Sequence, residues 1–176
     1  ELTVRIFDSK SASIGLGALA VQTARFAAQG MAFDDLCARM PQLIYDTVVW
    51  FSLDTLEYLQ RGGRIGRATA LAGSLLQIKP VLTFADDGQL QSIAKVRGRQ
   101  QVMRKLVELT VNRCGSHKRY NLAVANGGSP EEMETVRRLL TEALPHGEHL
   151  WDGEIDGTLS VYIGDGVLGA AVQVLD

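Results

Sequence analysis

The sequence predicts an α/β fold, and three observations carry that prediction. The first fifty residues alternate β-rich and helix-periodic segments in the order strand, helix, helix, strand. Two apolar β runs then flank a glycine-bearing turn at Asp86-Asp87-Gly88. Amphipathic helical segments resume on either side of a short β run at residues 121–125.

Thr3–Phe7 is β-rich and reads as a strand. It runs into Asp8-Ser9-Lys10-Ser11-Ala12-Ser13, whose carboxylate and hydroxyls suit capping of the next helix and binding of polar ligand atoms. Ile14–Ala28 then reads as a helix closed by Gly30. A second helix is expected from about Asp34, with Phe33, Leu36, Cys37, Met40, Leu43 and Ile44 at helical spacing and a kink at Pro41. Thr47–Phe51 is β-branched and aromatic, hence a strand. Asp54–Gln60 is a short helix stopped by Gly62-Gly63, and Ala68–Leu76 a helix of small residues.

Ile78–Phe84 and Leu90–Val96 form the hairpin around Gly88. Gln100–Val111 is amphipathic, with Val102, Met103, Leu106, Val107 and Thr110 on one face. Asn121–Ala125 is a strand. Ser129-Pro130-Glu131-Glu132 starts a helix with an N-cap serine, a first-turn proline and a capping-box glutamate. Its buried face is expected to be Met133, Val136, Leu140 and Ala143. From Gly147 to Leu175 short β runs alternate with glycines. A domain boundary is placed near Arg61–Gly66, dividing the chain into residues 1–62 and 63–176.

The 176 residues are 46% apolar and 22% charged, an ordinary balance for a globular protein. No apolar run approaches the roughly 20 residues of a membrane-spanning helix. The opening Glu1-Leu-Thr-Val-Arg-Ile-Phe lacks the basic region and cleavage site of a secretory leader, and its start inside a β run suggests that upstream sequence is missing. Cys37 and Cys114 belong to no Cys/His cluster, so no metal site is expected; two lone thiols fit buried apolar positions in a reducing cytoplasm. His117, His146 and His149 lie in polar stretches and are expected to be exposed.

Charge is concentrated. From Arg61 to Lys105 nine Lys/Arg accompany two acids, so this stretch carries +7 and the rest of the chain −9. Such asymmetry points to an anion, ligand or partner. Arg61, Arg64, Arg67, Arg97 and Arg99 offer forked donors for a carboxylate or phosphate. Two or three of them are plain surface residues on this reading, whereas Arg64 and Arg97, beside glycines and after apolar runs, are assigned to ligand or partner contact. Nucleic acid is disfavoured, because the isoelectric point is near 5.9 and no aromatic-basic platform is visible.

Gly15-Leu-Gly17-Ala-Leu-Ala20 matches a dinucleotide fingerprint formally. The mechanism needs the first glycine directly after a strand, however, and here the glycines fall inside a helix, so helix packing is the better reading. No nucleophile–base pattern, P-loop or HExxH is present. Ser9 and Ser11 read as capping residues.

Six stretches taken together resemble the DegV family of bacterial fatty-acid-binding proteins. They are Phe7-Asp-Ser-Lys-Ser-Ala-Ser-Ile-Gly-Leu-Gly17, Leu53-Asp-Thr-Leu-Glu-Tyr-Leu59, Arg61-Gly-Gly-Arg-Ile-Gly66, Gly73-Ser-Leu-Leu-Gln-Ile-Lys-Pro-Val-Leu-Thr83, Lys95-Val-Arg-Gly-Arg99 and Gly164-Asp-Gly-Val-Leu-Gly169. The resemblance implies a two-domain architecture: the remnant of an N-terminal α/β domain, then a C-terminal α/β sandwich with a mixed sheet. It also implies a long-chain fatty acid between the domains, with no other cofactor and no metal. On this resemblance the carboxylate is expected to be handed to a partner kinase that makes acyl-phosphate for phospholipid synthesis, the chain itself being a cytoplasmic carrier and not an enzyme. The alternatives are a nucleotide-dependent enzyme and an interaction module without a ligand.

The resemblance places Ser9, Arg64, Arg97, Tyr162, Gly164 and Gly166 at the ligand site. The family's Thr and Ser carboxylate ligands upstream of the Asp-Ser motif have no counterpart here. Tyr162 stands where the family usually has His, and Ser160 where Gly is common; a tyrosine hydroxyl donates a hydrogen bond but brings no positive charge. Ile14, Leu16, Phe51, Leu53, Leu75, Leu76, Val81 and Leu82 are the candidate acyl-pocket lining, with plain core as their other role.

Overall fold

The computed structural model describes residues 2–71 and 78–176. Helices α1 (Ser13–Ala28) and α2 (Phe33–Tyr45) lead into strand β1 (Thr47–Ser52), followed by α3 (Glu57–Arg61) and a 3-10 helix at Gly66–Leu71. Then come β2 (Ile78–Phe84), β3 (Leu90–Arg97), α4 (Arg99–Cys114), β4 (Tyr120–Gly127), α5 (Pro130–Ala143), β5 (His149–Glu154), α6 (Gly157–Ile163) and β6 (Val167–Val174).

The strands form one six-stranded sheet in the order β3-β2-β1-β6-β4-β5. All neighbours are antiparallel except β4 and β5, so the sheet is mixed. β1 precedes the boundary expected at residue 62 and is hydrogen-bonded between β2 and β6, which follow it.

Alternation along the strands sorts side chains onto two faces. On one, Trp50, Leu168, Ala170 and Val172 pack with Val102 and Leu106 of α4 and Val136 and Leu140 of α5. On the other, Val49, Ala123 and Ala171 meet Ile14 of α1. The buried face of α5 is shorter than expected, for Ala143 is exposed. Under α1 a buried polar chain ties helix to sheet. Asn121 Nδ2 donates to Gln22 Oε1 (2.9 Å) and Gln173 Oε1 (3.0 Å), and Gln173 Nε2 donates to Thr47 Oγ1 (3.0 Å).

Several expectations need correction. Thr3–Phe7 is no strand; Leu2 and Ile6 are 89% and 93% exposed, and among the described residues no strand pairs with the segment to satisfy its backbone. The serines before α1 do not cap it. Its N-cap is Ala12, while Ser9 Oγ donates to the Ser11 carbonyl (3.2 Å) and the Lys10 amide to Asp8 Oδ1 (2.9 Å). Lys10 and Ser13 take left-handed backbone at φ 50° and 54°, so the segment spends its polar groups on its own turn. At α5, Ser129 is the N-cap residue and Pro130 the first helical one, yet the Ser129 side chain makes no cap bond. In place of the small-residue helix expected at Ala68–Leu76 stands the 3-10 helix ending at Leu71, the rest lying outside the described residues. The glycine-rich end hides a helix, α6, capped by Asp156, whose Oδ1 accepts from the Leu159 amide at 3.2 Å.

Cys114 is buried and Cys37 half-buried, and all three histidines are exposed. Burial pushes the Cys114 thiol up to about 11, against the opposing charge of Arg113. Above the unfolded thiol's 9.0 the unfolded chain sheds this proton while the folded one retains it, so the group weakens folding as pH rises through that range. Native protein treated with iodoacetamide at pH 8 should therefore be labelled at Cys37 and spared at Cys114, as read by peptide mass spectrometry.

Candidate functional site

A cavity of about 560 Å³ opens on the face of the sheet that carries α1. Its floor follows from registered small residues. Phe51 of β1 pairs with Gly169 of β6, Gly169 with Ala125 of β4, and Ala125 with Gly153 of β5. One row across four strands thus holds a phenylalanine followed by three residues with little or no side chain; Phe51, Gly169 and Ala125 of this row line the cavity, and the missing side-chain volume leaves room above the sheet. Ile14 at the start of α1, Phe84 and Leu90 of the hairpin, and Leu159 and Ile163 of α6 complete the apolar wall.

The polar rim is small. Arg64 follows Gly63, whose φ of 67° turns the chain, and the guanidinium lies 4.6 Å over the Tyr162 ring while Nη1 donates to the Gly62 carbonyl at 2.7 Å. Arg64 is exposed and Tyr162 half-buried, and both line the cavity. α3, which ends just before the Arg64 turn, and α6, which bears Tyr162, interlock. A Cβ on Gly62 would come within 2.5 Å of the Tyr162 ring, and one on Gly164 within 2.5 Å of the Tyr58 ring.

Other cations of the basic stretch are neutralised locally. Arg61 pairs with Glu57 (2.5 Å), Arg67 with Asp87 (2.5 Å), Lys79 with Asp54 (2.8 Å) and Lys105 with Glu108 (2.6 Å). The Asp87 carboxyl is held below its ordinary range by the Gln89 amide and by Arg67.

Of the residues expected at the site, the structure brings Arg64, Tyr162, Ile14 and Phe51 together. Gly164 and Gly166 sit behind the wall, buried, at φ 71° and 81°. Ser9 borders a separate cleft of about 490 Å³ that also takes in Lys10, Ser11, Thr83 and Arg113. Arg97 is exposed at the end of β3, where it pairs with Ile78, and is not among the cavity walls. Leu53, Val81 and Leu82 are completely buried core residues, and Leu16 is 48% exposed on the outer side of α1; none of these four lines the cavity. Leu75 and Leu76 lie outside the described residues.

Sequence reasoning missed Phe84, Leu90, Leu159 and Ile163. The last two were detectable, standing four apart after the capping Asp156. Of the two motif glycines, Gly15 has the packing role, since a Cβ there would lie 2.4 Å from both Ser11 Oγ and Val49 Cγ2, whereas Gly17 is exposed with nothing within 4 Å of an added Cβ and has none. No metal-binding group of His, Cys, Asp and Glu occurs among the described residues, and none of their helices is long and apolar enough to cross a membrane.

Comparison with known proteins fits this geometry. A DegV domain-containing protein of Clostridium acetobutylicum is 33% identical over 167 residues, covering 95% of this chain and 59% of its own. Among solved structures, a Thermus thermophilus DegV family protein described for its fatty acid binding superposes with a TM-score of 0.91 at 26% identity, over 97% of this chain and 61% of that one. Bacillus subtilis DegV, described as a fatty acid binding protein, gives 0.82 at 26% identity over 96% and 60%. The chain spans about three-fifths of the length of the relatives it matches. The model of the DegV family, itself described as a family of uncharacterised proteins, matches residues 1–174, and the chain belongs to that family.

Proposed function

We propose that this chain binds the acyl tail of a long-chain fatty acid in the cavity floored by Phe51, Gly169 and Ala125, and presents the carboxylate at the Arg64–Tyr162 rim to a partner kinase in the cytoplasm. The observation that carries the reading is a mostly apolar cavity of about 560 Å³ whose few polar lining residues, Ser13, Arg64, Gln89 and Tyr162, include one cation. Fatty acid binding by the Thermus thermophilus and Bacillus subtilis relatives supports it.

The energetics divide between tail and head. About fifteen methylenes gain on the order of 12 kcal/mol gross on leaving water, at about 0.8 each. Association takes back several kcal/mol of this. The tail thus supplies affinity. Arg64 and the Tyr162 hydroxyl aim the head group, and a forked cation keeps a carboxylate ionised. Such a group, held outward, is the nucleophile that a kinase needs to form acyl-phosphate.

The test is direct. The full gene product, purified from bacteria and denatured, should release near-stoichiometric long-chain acid detectable by mass spectrometry. Several preparations without acid, none of which takes up added oleate, would end the carrier reading. Arg97, on the surface beyond the cavity, belongs in this proposal to kinase docking. Arg97→Glu should slow partner-dependent phosphorylation by about tenfold or more, with oleate affinity changed by less than about threefold, because a rim charge governs encounter and not the buried tail. Equal losses in both assays would move Arg97 into the ligand site.

A further inference from the structure

Ser129 and Glu132 occupy the two positions of a capping box on α5, and neither side chain serves that helix. Both turn to Arg99 at the start of α4. Arg99 Nε donates to the two Glu132 oxygens at 3.0 and 2.8 Å, with Nη2 also on Glu132 Oε2, and Nη2 donates to Ser129 Oγ at 3.2 Å. The third nitrogen, Nη1, donates to the Gly166 carbonyl at 2.7 Å and stands 3.6 Å from Asp54 Oδ1. The Arg99 side chain is only 23% exposed.

These last two partners matter for the cavity. Asp54 lies just before α3, and Gly166 lies just after α6. A Cβ on Gly166 would come within 2.2 Å of Asp54 Oδ2, so the two are in close contact. α3 and α6 are the helices that interlock through Tyr58 and Tyr162 at the rim. α6 has no fully buried residue and still supplies Leu159, Tyr162 and Ile163 to the wall. A helix so lightly packed depends on its ends for its position. One guanidinium, reaching from the opposite face of the sheet, holds the entry of one rim helix and the exit of the other.

We propose that Arg99 is a positioning residue for the cavity rim. By joining Gly166 and Asp54 it sets how closely α6 closes over the acyl chain, and hence how fast ligand enters and leaves. Its effect on ligand exchange rests on the fatty acid reading; its effect on α6 does not.

The experiment compares the full gene product with its Arg99→Gln variant. Hydrogen exchange of the Gly157–Ile163 amides, measured without added ligand, should quicken by about tenfold in the variant. Association and release of cis-parinaric acid should both quicken by similar factors, with Kd changed by less than about threefold, because a loosened rim lowers one barrier for both directions. Arg99→Lys retains the charge but cannot span Glu132, Ser129 and Gly166 together, so it should show a smaller change of the same kind. It also carries the measurement if Arg99→Gln fails to fold. Val136→Ala, which removes core packing under α5 but none of the Arg99 hydrogen-bond partners, serves as a control for lost stability and should leave α6 exchange and both rates unaltered. Unchanged α6 protection in both Arg99 variants overturns the proposal, and so does equal acceleration in Val136→Ala. Quickened α6 exchange in a protein that takes up no parinaric acid leaves the positioning role standing and removes the carrier reading.

Discussion

Ala125→Leu is expected to weaken binding of a long-chain fatty acid by about 50-fold. The residue is 3% exposed, stands on the central row of the cavity floor beside Gly169, and its Cβ faces the trough. Leucine adds three carbons there, which displace about three methylenes of the acyl chain at about 0.8 kcal/mol each, or about 2.4 kcal/mol in all. With about 1.4 kcal/mol for each factor of ten, this amounts to the stated loss. The new side chain projects into cavity and not into packed core, so thermal stability should hold. An acid shorter by about three methylenes should regain most of the affinity. Titration of a fluorescent acid, with displacement by saturated acids of decreasing length, reads both effects. If affinity for every length is unchanged, the tail does not cross this floor. Leu16→Ala on the outer side of α1, where the side chain is 48% exposed, should leave the titration untouched.

That floor shows where the sequence is legible and where it is not. Ala123 with Ala125, and Gly169 with Ala171, are spaced by two in strands, so small residues on one face can be read directly from the chain. That Ala125 and Gly169 meet Phe51 in one row, and Ala123 and Ala171 meet Val49 in the next on the same face, depends on strand order and register, which local pattern does not encode. Periodicity located β1, β2, β3, β4 and four helices because each buries one side against the sheet or a neighbouring helix. It failed at Thr3–Phe7, where β propensity meets no partner strand among the described residues, and at α6, which has no buried stripe and signals itself only by its Asp156 cap and the Leu159–Ile163 spacing. Arg64 stands out in the sequence by its place beside glycines after an apolar run, and Tyr162 only by family resemblance; that the two stack depends on the α3–α6 interlock. Leu53, Val81 and Leu82 illustrate the converse error: an apolar residue in a motif can serve the core alone. Ser129 and Glu132 fit a capping box, and only the arrival of Arg99 from α4 reassigns them.

Gly166→Ala should destabilise the fold by about 3 kcal/mol, from left-handed strain and the displacement of a fixed neighbour together. The glycine has φ 81°, where a side chain is disfavoured, and its added Cβ would lie 2.2 Å from Asp54 Oδ2 and 2.7 Å from Cγ. A surface carboxylate could swing aside. Asp54 is held by Lys79 at 2.8 Å and faces Arg99 at 3.6 Å, so yielding breaks a contact that ties α3 to β2. The backbone is equally committed, because the Gly166 amide donates to the Gly127 carbonyl at 2.7 Å while its own carbonyl accepts from Arg99 at 2.7 Å. For a chain of this size each kcal/mol lowers the melting temperature by about 2–4 °C, so a drop of about 6–12 °C is expected in a calorimetric scan. Gly153→Ala provides the contrast. Gly153 lies in β5 with ordinary strand backbone and nothing within 4 Å of an added Cβ, so this change should move the transition by about 2 °C at most. Equal shifts in the two variants would mean that the loop after α6 accommodates a side chain, and that the Asp54–Gly166 contact carries none of the stability assigned to it.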